Sequence, residues 1–408
     1  MRMHEIATLR DVNVRGRTIL LRLDLNSPID PATRKILDDK RFREHLPTVQ
    51  YLEESRTVIL AHQSRPGKKD FTTLEEHARY LERLVHKPVA YVDDIFGRSA
   101  KEAVRAMKAG DLLMLENIRF NAEENLTLKP QDAAKTLLVR NLSTMAEIFV
   151  NDAFGTAHRS QPSMVGLPLV MRSVAGLLME KEVFTLGRIF RDPPRPVVFV
   201  LGGTKADDSI QVAKNVLESG IADRVLAIGV VGNLFLLAKG NEIGKPSTQL
   251  IQQLGYTEEV EKAKELLARY PDNIMLPASV AVKEGGGRVE YIADRIPAEV
   301  PVLDIGAEAI GEMTGVLKSA GTVVFNGPAG VFEEAPFATG THELLKAAAK
   351  AEFSVIGGGH TAAVVEQLGI ERDFTHISTG GGACIEFLTG KKLPALLALE
   401  ESKRMFGL

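Results

Sequence analysis

Short apolar runs alternate with helix-length segments along this 408-residue chain, and this alternation constrains the fold more than any other feature. The runs in the first third of the chain are 18–25, 57–61, 88–92, 112–115 and 148–150. Most are apolar at successive positions, so both faces of each strand should be buried, as in parallel sheets covered by helices. The segments 73–86 and 98–109 are long enough to be two of those helices. The sequence therefore predicts an α/β fold.

The same alternation restarts after a proline-rich break at 192–196. The apolar runs beyond the break are 196–201, 224–228, 301–305, 322–326 and 353–356. Before it, Met179, Val183, Leu186 and Phe190 recur at the spacing of one helix face, which predicts a helix over 174–191. Consecutive prolines cannot continue that helix. We therefore predict two α/β domains with their junction at this break.

Composition excludes several classes of protein. A formal net charge of −3 argues against a chain governed by nonspecific attraction to nucleic acid. The single cysteine, Cys384, excludes an intramolecular disulfide and a cysteine cluster for metal, and we expect it to be buried. No apolar stretch of about 18 residues is present for a membrane span, and the N-terminus lacks the apolar core of a secretion signal. We expect no nucleic-acid or membrane partner and a cytoplasmic location.

Polar and basic residues recur in the first half at strand ends and in the loops after them. They are Arg22, Asp24, Asn26, His62, Arg65, Arg119, His158 and Arg159, and Arg41 opens the helix after DDK. The carboxyl ends of parallel strands meet at one edge of a sheet, and guanidinium groups suit phosphate and carboxylate oxygens. Any one of these arginines could be a solvated surface charge, and either histidine a structural one. Their recurrence indicates a site for a small polyanion.

Glycines follow the strands of the second half. In LGGTKADDSI, Gly203 and Lys205 lie between a strand and a helix, where free backbone amides and a lysine can meet phosphate oxygens. Gly357, Gly358 and Gly359 form a similar turn before His360, and Glu333 follows NGPAG, where its carboxylate could accept from ribose hydroxyls. Each turn alone is also explained by tight strand–helix packing and by exposed side chains. Together they favour a nucleotide site.

Eight motifs in order resemble those of the phosphoglycerate kinase family, with an archaeal-type pattern. They are RLDLNSP, AHQSRP, ENIRF, NDAFGTAHR, LGGTK, NGPAGVFE, GGGHT and HISTGGGA, and the match covers about residues 18–394. The resemblance implies a glycolytic kinase that transfers a phosphoryl group reversibly between 1,3-bisphosphoglycerate and ADP, giving 3-phosphoglycerate and ATP. It also implies two doubly wound parallel-sheet domains, at 1–173 and 193–393. A long interdomain helix at 174–192 and a tail at 394–408 that returns to the first domain complete the expected organisation.

The resemblance also implies roles for individual residues. The phosphoglycerate contacts would be Asp24, Asn26, Arg41, His62, Arg65, Arg119, His158 and Arg159; the nucleotide contacts would be Gly203, Lys205, Glu333, Gly357, Gly358, Gly359 and His360. The attacking carboxylate of 3-phosphoglycerate is already ionised, so no general base is needed. We expect Arg41 and Lys205 to neutralise the moving phosphoryl group, and in-line transfer to require closure of the two domains with the helix 174–191 as hinge.

Two positions depart from the pattern of many family members. His360 stands where an aspartate is assigned to the magnesium of the nucleotide, and Ser209 stands where many relatives carry a lysine. Imidazole is a poor partner for Mg²⁺, which prefers oxygen. Either the metal is held through phosphates, water and another carboxylate such as Asp208, or His360 donates to a phosphate. The sequence leaves open the protein ligands of Mg²⁺, the nucleotide base preference, the resting conformation and the oligomeric state. For the oligomeric state we expect a monomer, with a dimer as the alternative.

Two other functions compete with this interpretation. A dinucleotide-dependent oxidoreductase would need a GxGxxG turn in its first βαβ unit, and the sequence has none. A noncatalytic phosphometabolite sensor would follow from the departures at His360 and Ser209. The presence of Arg41 and Lys205 argues against the sensor.

Overall fold

The computed structural model describes residues 6–408, which form two compact units. The first unit runs to Gly187 and resumes at Lys392, and the second covers Arg188–Lys391. Both are built on a parallel sheet flanked by helices, so the predicted fold class is confirmed.

The first unit is organised around six described strands in the order β3-β4-β2-β1-β5-β6, all parallel. These are β1 Thr18–Arg22, β2 Arg56–Leu60, β3 Val89–Tyr91, β4 Leu112–Met114, β5 Ile148–Asn151 and β6 Ser173–Ala175. The helices are α1 Lys40–Tyr51, α2 Glu75–Val85, α3 Arg98–Ala106, α4 Pro130–Ala133, α5 Leu137–Leu142, α6 Pro162–Val165, α7 Leu167–Val170 and α8 Leu177–Ile189.

Successive residues of the central strand β1 enter two different cores. Ile19 and Leu21 belong to one buried apolar cluster, whereas Leu20 belongs to another. Side chains alternate between the faces of a strand, so three consecutive apolar residues require a covering layer on each side. This requirement explains why helices lie on both faces of the sheet.

The second unit contains a similar sheet in the order β15-β14-β13-β7-β8-β9 and, within residues 188–391, a three-stranded antiparallel sheet in the order β11-β10-β12. Its strands are β7 Val197–Leu201, β8 Arg224–Ala227, β9 Ile274–Met275, β10 Ser279–Glu284, β11 Gly287–Ile292, β12 Val302–Ile305, β13 Thr322–Asn326, β14 Phe353–Gly357 and β15 His376–Ile377. Its helices are α9 Ala206–Glu218, α10 Gly229–Lys239, α11 Lys245–Gln253, α12 Thr257–Arg269, α13 Ala307–Lys318, α14 Thr339–Ala348, α15 Gly359–Gln367 and α16 Gly382–Leu388.

The run predicted at 301–305 does form a strand, β12, but it pairs antiparallel with β10 and lies outside the parallel sheet. The β10–β11 hairpin was not predicted. Its two-residue loop, Gly285-Gly286, has φ values of 58° and 81°, a backbone that glycine adopts without penalty and that matches the twist of paired strands. A glycine pair between two runs of alternating apolar and polar residues was the sequence signal for this hairpin.

The predicted helix at 174–191 begins later, at Leu177. Val174 instead pairs in parallel with Val150, so Ser173–Ala175 extends the first sheet as β6. The helix ends at Ile189, before the proline run, and spans the boundary between Gly187 and Arg188. Its role as a hinge stays a prediction.

The last helix, α17 Pro394–Phe406, belongs to the first unit. The backbone amide of Ala395 donates to the Ala157 carbonyl at 3.1 Å, and that of Ser173 donates to Ser402 Oγ at 3.1 Å. Cys384 is buried, as expected.

Among residues 6–408, no helix combines the length and the apolar character that a membrane crossing requires.

Candidate active site

The carboxyl end of the first sheet holds a group of basic side chains that we call the basic cluster: Arg22, Arg41, His62, Arg65, Arg119, His158 and Arg159. Arg22, the last residue of β1, is fully buried. Its Nη1 donates to the Leu23 carbonyl at 2.6 Å and its Nε to Ser163 Oγ at 3.2 Å. Burial lowers the pKa of Arg22, and the carboxylate of Glu124, 3.9 Å from Nη2, opposes that change.

His62 is almost completely buried beside Arg22, with its Nδ1 3.3 Å from Arg22 Nη2. A guanidinium can only donate, so His62 Nδ1 must accept, and the proton of the neutral ring resides on Nε2. Burial, followed by the charge of Arg22, holds the pKa of His62 well below its usual range. His62 therefore acts as a neutral hydrogen-bond donor through Nε2 at physiological pH.

Asp24 and Arg41 form an ion pair through Asp24 Oδ2 and Arg41 Nη1. Burial alone would raise the pKa of Asp24, but the charge of Arg41 and weaker contributions from neighbouring basic groups outweigh it and hold the pKa below its usual range. The pair is possible because residue 155 is glycine. A Cβ at Gly155 would lie 2.3 Å from Asp24 Oδ2 and 3.2 Å from Arg41 Nη1.

Arg119 follows β4 and is nearly buried. Its Nη1 donates to the Ser64 carbonyl and its Nη2 to Gln161 Oε1 at 3.4 Å, while its buried Nε has no hydrogen-bond partner in the part of the chain that the structure describes. Burial, followed by the charges of Arg159 and Arg22, lowers the pKa of Arg119 to about 10, so it is cationic at neutral pH.

The remaining predicted residues of this half are Asn26 and the cluster members Arg65, His158 and Arg159. Arg65 and Arg159 are exposed, and Arg159 Nε lies 3.4 Å from His158 Nε2. Asn26 accepts from the Ser64 amide at 2.8 Å, which ties the loop after β1 to the loop after β2. Within residues 6–408, Arg65, Arg119 and Arg159 form no ion pair with a carboxylate within 4 Å, and Arg119 is influenced only at longer range by Glu124 and Asp24, so the cluster keeps an excess of positive charge.

In the second unit, the turns after β7 and β13 approach each other closely. The Gly203 amide donates to the Pro328 carbonyl at 2.9 Å, and Gly203 has a φ of 73°. A Cβ at Gly327, where φ is 89°, would lie 2.2 Å from the Gly202 carbonyl oxygen. Only glycine permits this approach. Lys205 directly precedes α9 and is exposed.

The turn after β14 packs against Asn326, the last residue of β13. Cβ atoms at Gly357 and Gly358 would lie 3.1 and 3.0 Å from Asn326 Oδ1, and Gly358 has a φ of 83°. Among the described residues that buried Oδ1 has no hydrogen-bond donor. Thr361 Oγ1 accepts from the Gly327 amide at 2.9 Å, which joins the two turns.

A cavity of about 220 Å³ opens beside these turns. Gly203, Glu333 and His360 line it, together with apolar side chains from α11, β10 and β12 such as Leu250, Val280 and Val302. Glu333 and His360 are exposed, and the His360 ring lies 6.3 Å from the Phe332 ring. An apolar cavity bordered by glycine amides suits a flat heterocycle attached to phosphates.

Several residues of these sites were not among those predicted to act. Asn326 was predicted only as a strand end. Its position directly before Gly327 was the sequence signal that could have placed it at the nucleotide site. The apolar lining from β10 and α11 could not be recognised, because apolar residues in a strand or helix look the same whether they line a cavity or a core. His45 and Asp152 of the first unit were also missed.

Comparisons with known proteins agree with this geometry. The family model described as phosphoglycerate kinase matches residues 9–391. The chain is similar to a phosphoglycerate kinase of Methanocorpusculum labreanum, with 64% identity over 98% of this chain and 99% of that protein. It is also similar to phosphoglycerate kinase 2 of Methanosarcina acetivorans, with 50% identity over 98% of this chain and 96% of that protein.

Solved structures show the same likeness. The crystal structure of phosphoglycerate kinase from Pyrococcus horikoshii OT3 superposes with a TM-score of 0.90 and 42% identity, covering 98% of this chain and all of that one. The structure of phosphoglycerate kinase from Coxiella burnetii gives a TM-score of 0.83 with 31% identity, covering 97% of this chain and 99% of that one. A family model and relatives that span nearly the whole length, most of them archaeal, show that the chain belongs to the phosphoglycerate kinase family.

Proposed function

We propose that the basic cluster binds the phosphoglycerate and the cavity of the second unit binds the adenine nucleotide in the reaction of the family. That reaction is the reversible glycolytic transfer of a phosphoryl group from 1,3-bisphosphoglycerate to ADP, which gives 3-phosphoglycerate and ATP. In the reverse direction a carboxylate oxygen of 3-phosphoglycerate attacks the γ-phosphorus of ATP, and the bond from that phosphorus to the bridging oxygen of ADP breaks. The attacking carboxylate is ionised near neutral pH, so no protein base is required.

The observation that carries the substrate assignment is the excess positive charge of the basic cluster. Arg119 is nearly buried and, among residues 6–408, forms no ion pair with a carboxylate within 4 Å, although removing a cation from water is costly unless a counter-ion is supplied. A phosphoglycerate carries the missing negative charge. Arg65 and Arg159 add two exposed guanidinium groups, and the neutral His62 adds an N–H donor.

Arg41 and Lys205 are the proposed catalytic residues. Arg41 is partly exposed and is held at one end by Asp24, so its other nitrogens remain available to a phosphoryl oxygen. Lys205 precedes α9, whose backbone amides and dipole favour an anion. Catalysis of phosphoryl transfer depends chiefly on alignment and on neutralising these oxygens. That transfer follows domain closure stays a prediction.

On the nucleotide side, the turns at Gly203 and Gly357–359 are proposed to bind phosphates through backbone amides other than that of Gly203, which donates to the Pro328 carbonyl. Glu333 is proposed to accept from ribose hydroxyls. The unsatisfied Oδ1 of Asn326 is a buried acceptor beside the glycine turn. Ionised phosphate oxygens only accept, so its proposed partner is a hydroxyl or amino group of the nucleotide. His360 lines the same cavity and can donate to a phosphate.

Mg²⁺ would have to be held largely by the nucleotide. Within residues 6–408 no group of three or more histidine, cysteine, aspartate or glutamate side chains could hold a metal ion. This arrangement fits Mg²⁺, which often uses one or two carboxylates with phosphates and water. Asp208 is the proposed carboxylate; burial, followed by the charge of Asp207, raises its pKa, so a cation would be favourable there. When bound, the ion would neutralise phosphate charge.

The test is a coupled assay of 1,3-bisphosphoglycerate formation from ATP and 3-phosphoglycerate. Arg41→Ala and Lys205→Ala should lose at least about a hundredfold in kcat, since each removes a charge from the transferring group. Matched controls are Arg43→Ala on the same helix, where Arg43 pairs with Asp39 at 2.7 Å, and Lys262→Ala on α12. Full activity in both Arg41→Ala and Lys205→Ala would refute the assignment.

A magnesium titration of the same assay tests the metal proposal. We expect Asp208→Asn to raise the Mg²⁺ concentration needed for half-maximal activity, whereas His360→Ala should alter the KM for ATP without that change. A shift in magnesium dependence with His360→Ala alone would contradict the proposal.

We further propose a monomer that acts in the cytoplasm, and size-exclusion chromatography with light scattering would test the monomer.

A further inference from the structure

A buried polar stripe on α1 connects the proposed catalytic arginine to the start of α8. Arg41, His45 and Thr48 lie at positions i, i+4 and i+7 of α1, which places them on one face of the helix. Thr48 is fully buried and His45 is 2% exposed. Polar side chains this deep must be satisfied by specific partners, so their hydrogen bonds define the local geometry.

His45 connects the loops that follow β1 and β5. The backbone amide of Asp24 donates to His45 Nε2 at 3.1 Å, and His45 Nδ1 lies 2.7 Å from Asp152 Oδ2. Because an amide can only donate, Nε2 must accept, and the proton of the ring resides on Nδ1 and is donated to Asp152. The amide of Asp24 is thereby held in place by a ring whose tautomer Asp152 sets.

Asp152 also caps α8. Its Oδ1 accepts from the amides of Leu178 at 2.9 Å and Met179 at 3.2 Å, and Thr48 Oγ1 accepts from the amide of Leu177 at 3.0 Å. These bonds satisfy the first three amides of α8, and a carboxylate is favourable at a helix N-terminus. A Cβ at Gly176 would lie 2.2 Å from Asp152 Oδ1, so glycine is needed there for the cap to form.

We infer that His45 is a positioning residue that fixes Asp24, and through Asp24 the guanidinium of Arg41, relative to the capped end of α8. Arg41 precedes His45 by one helical turn and pairs with the carboxylate of Asp24, whose backbone His45 holds. Asp24 is thus held at its backbone and its side chain by residues of one helix. This inference rests on the proposed catalytic role of Arg41.

The test separates the two nitrogens of His45 by substitution. The amide nitrogen of asparagine lies close to the position of Nδ1, and the amide oxygen of glutamine lies close to that of Nε2. His45→Gln therefore retains the acceptor for Asp24, whereas His45→Asn retains only the donor to Asp152. We expect kcat to fall about tenfold in His45→Asn, as for loss of one buried hydrogen bond that aligns a catalytic group. His45→Gln should stay within about threefold of the wild type, and the KM for ATP should be unchanged in both.

His77→Ala is the matched control for general destabilisation, because His77 is also a fully buried histidine of the first unit and contacts Phe42 of α1. It should lower the thermal midpoint and leave kcat unchanged. Equal kcat values in His45→Asn and His45→Gln, or a lower value in His45→Gln, would overturn the positioning role. Arg41→Ala, assayed alongside, distinguishes the two failures: if it is inactive while both His45 variants match the wild type, only the positioning inference fails. If Arg41→Ala is fully active, the proposed role of Arg41 fails first.

Discussion

Substituting Gly155 by alanine should disturb the Asp24–Arg41 pair without removing either charge. The new Cβ would lie 2.3 Å from Asp24 Oδ2, whereas Cβ contacts essentially never fall below 3.0 Å, so the carboxylate must move by at least about 0.7 Å. Arg41 holds that carboxylate from one side, and the amide of Asn26 donates to its other oxygen at 3.3 Å. The displacement must therefore shift Arg41 or break the pair.

The expected effects can be worked out from this displacement. A shift approaching 1 Å at a catalytic group lowers kcat by about 10- to 100-fold. Overpacking costs about 1–3 kcal/mol, and replacing glycine by alanine restores about 0.4–1 kcal/mol through the unfolded state. The midpoints of these ranges give a net loss of about 1.3 kcal/mol in the free energy of unfolding, and their limits give at most about 2.6 kcal/mol. The coupled kinase assay measures the first quantity, and urea unfolding with an unchanged slope measures the second.

Gly311→Ala provides the matched control. Gly311 lies within α13 and has no heavy atom within 4 Å of its ideal Cβ, so the same change should add up to about 1 kcal/mol of stability and leave kcat unchanged. If Gly155→Ala keeps the kcat of the wild type while its stability falls, the link between the Asp24 carboxylate and Arg41 placement is refuted. If neither kcat nor the free energy of unfolding changes, the steric conflict inferred for a Cβ at position 155 is wrong.

Three further predictions follow from the same sites. Arg119→Met should raise the KM for 3-phosphoglycerate at least about tenfold with little change in the KM for ATP. Arg119→Lys should restore only part of the lost affinity for 3-phosphoglycerate, because lysine lacks the planar fork of donors. Equal KM values for the wild type and both variants would contradict this prediction. The folded-state pKa of Asp24 lies below its unfolded value of about 3.9, so the stability that its charge contributes is complete above that pH and is lost as the pH falls through the folded-state pKa. Urea midpoints should therefore show a deficit for Asp24→Asn that is largest at pH 7 and shrinks below about pH 4, and a deficit independent of pH would refute it. Gly358→Ala should raise the KM for ADP and lower stability by about 1–2 kcal/mol, since φ is 83° and Asn326 Oδ1 is close. Gly315→Ala, within α13 and with open space around its Cβ, should do neither. Similar behaviour of the two variants would argue against the tight turn.

Much of the fold was readable from the chain because it depends on local patterns. Strands with consecutive apolar residues, such as Ile19, Leu20 and Leu21 of β1, require cover on both faces, and this requirement implies parallel sheets between helix layers. The short strands β9 and β15, with two residues each, carry too little pattern to be recognised. Val174 and Ala175 of β6 were assigned to a helix. A three-residue strand cannot reveal whether a strand partner is present, and that partner, β5, precedes it by more than 20 residues.

The sequence by itself determined the fold class, the family and the residue types at each strand end, because these depend on periodicity and on motifs that survive in linear order. Tertiary structure alone decided which of those residues work together. The tautomer of His62 depends on a donor 40 residues away, Arg22, and that of His45 depends on a donor 21 residues away, the amide of Asp24. The excess positive charge at Arg119 depends on which carboxylates lie within ion-pair distance. Hydrogen bonds and burial are properties of distances in space, so the sequence predicted the members of the basic cluster but not its protonation, its excess positive charge or its connection through His45 to α8.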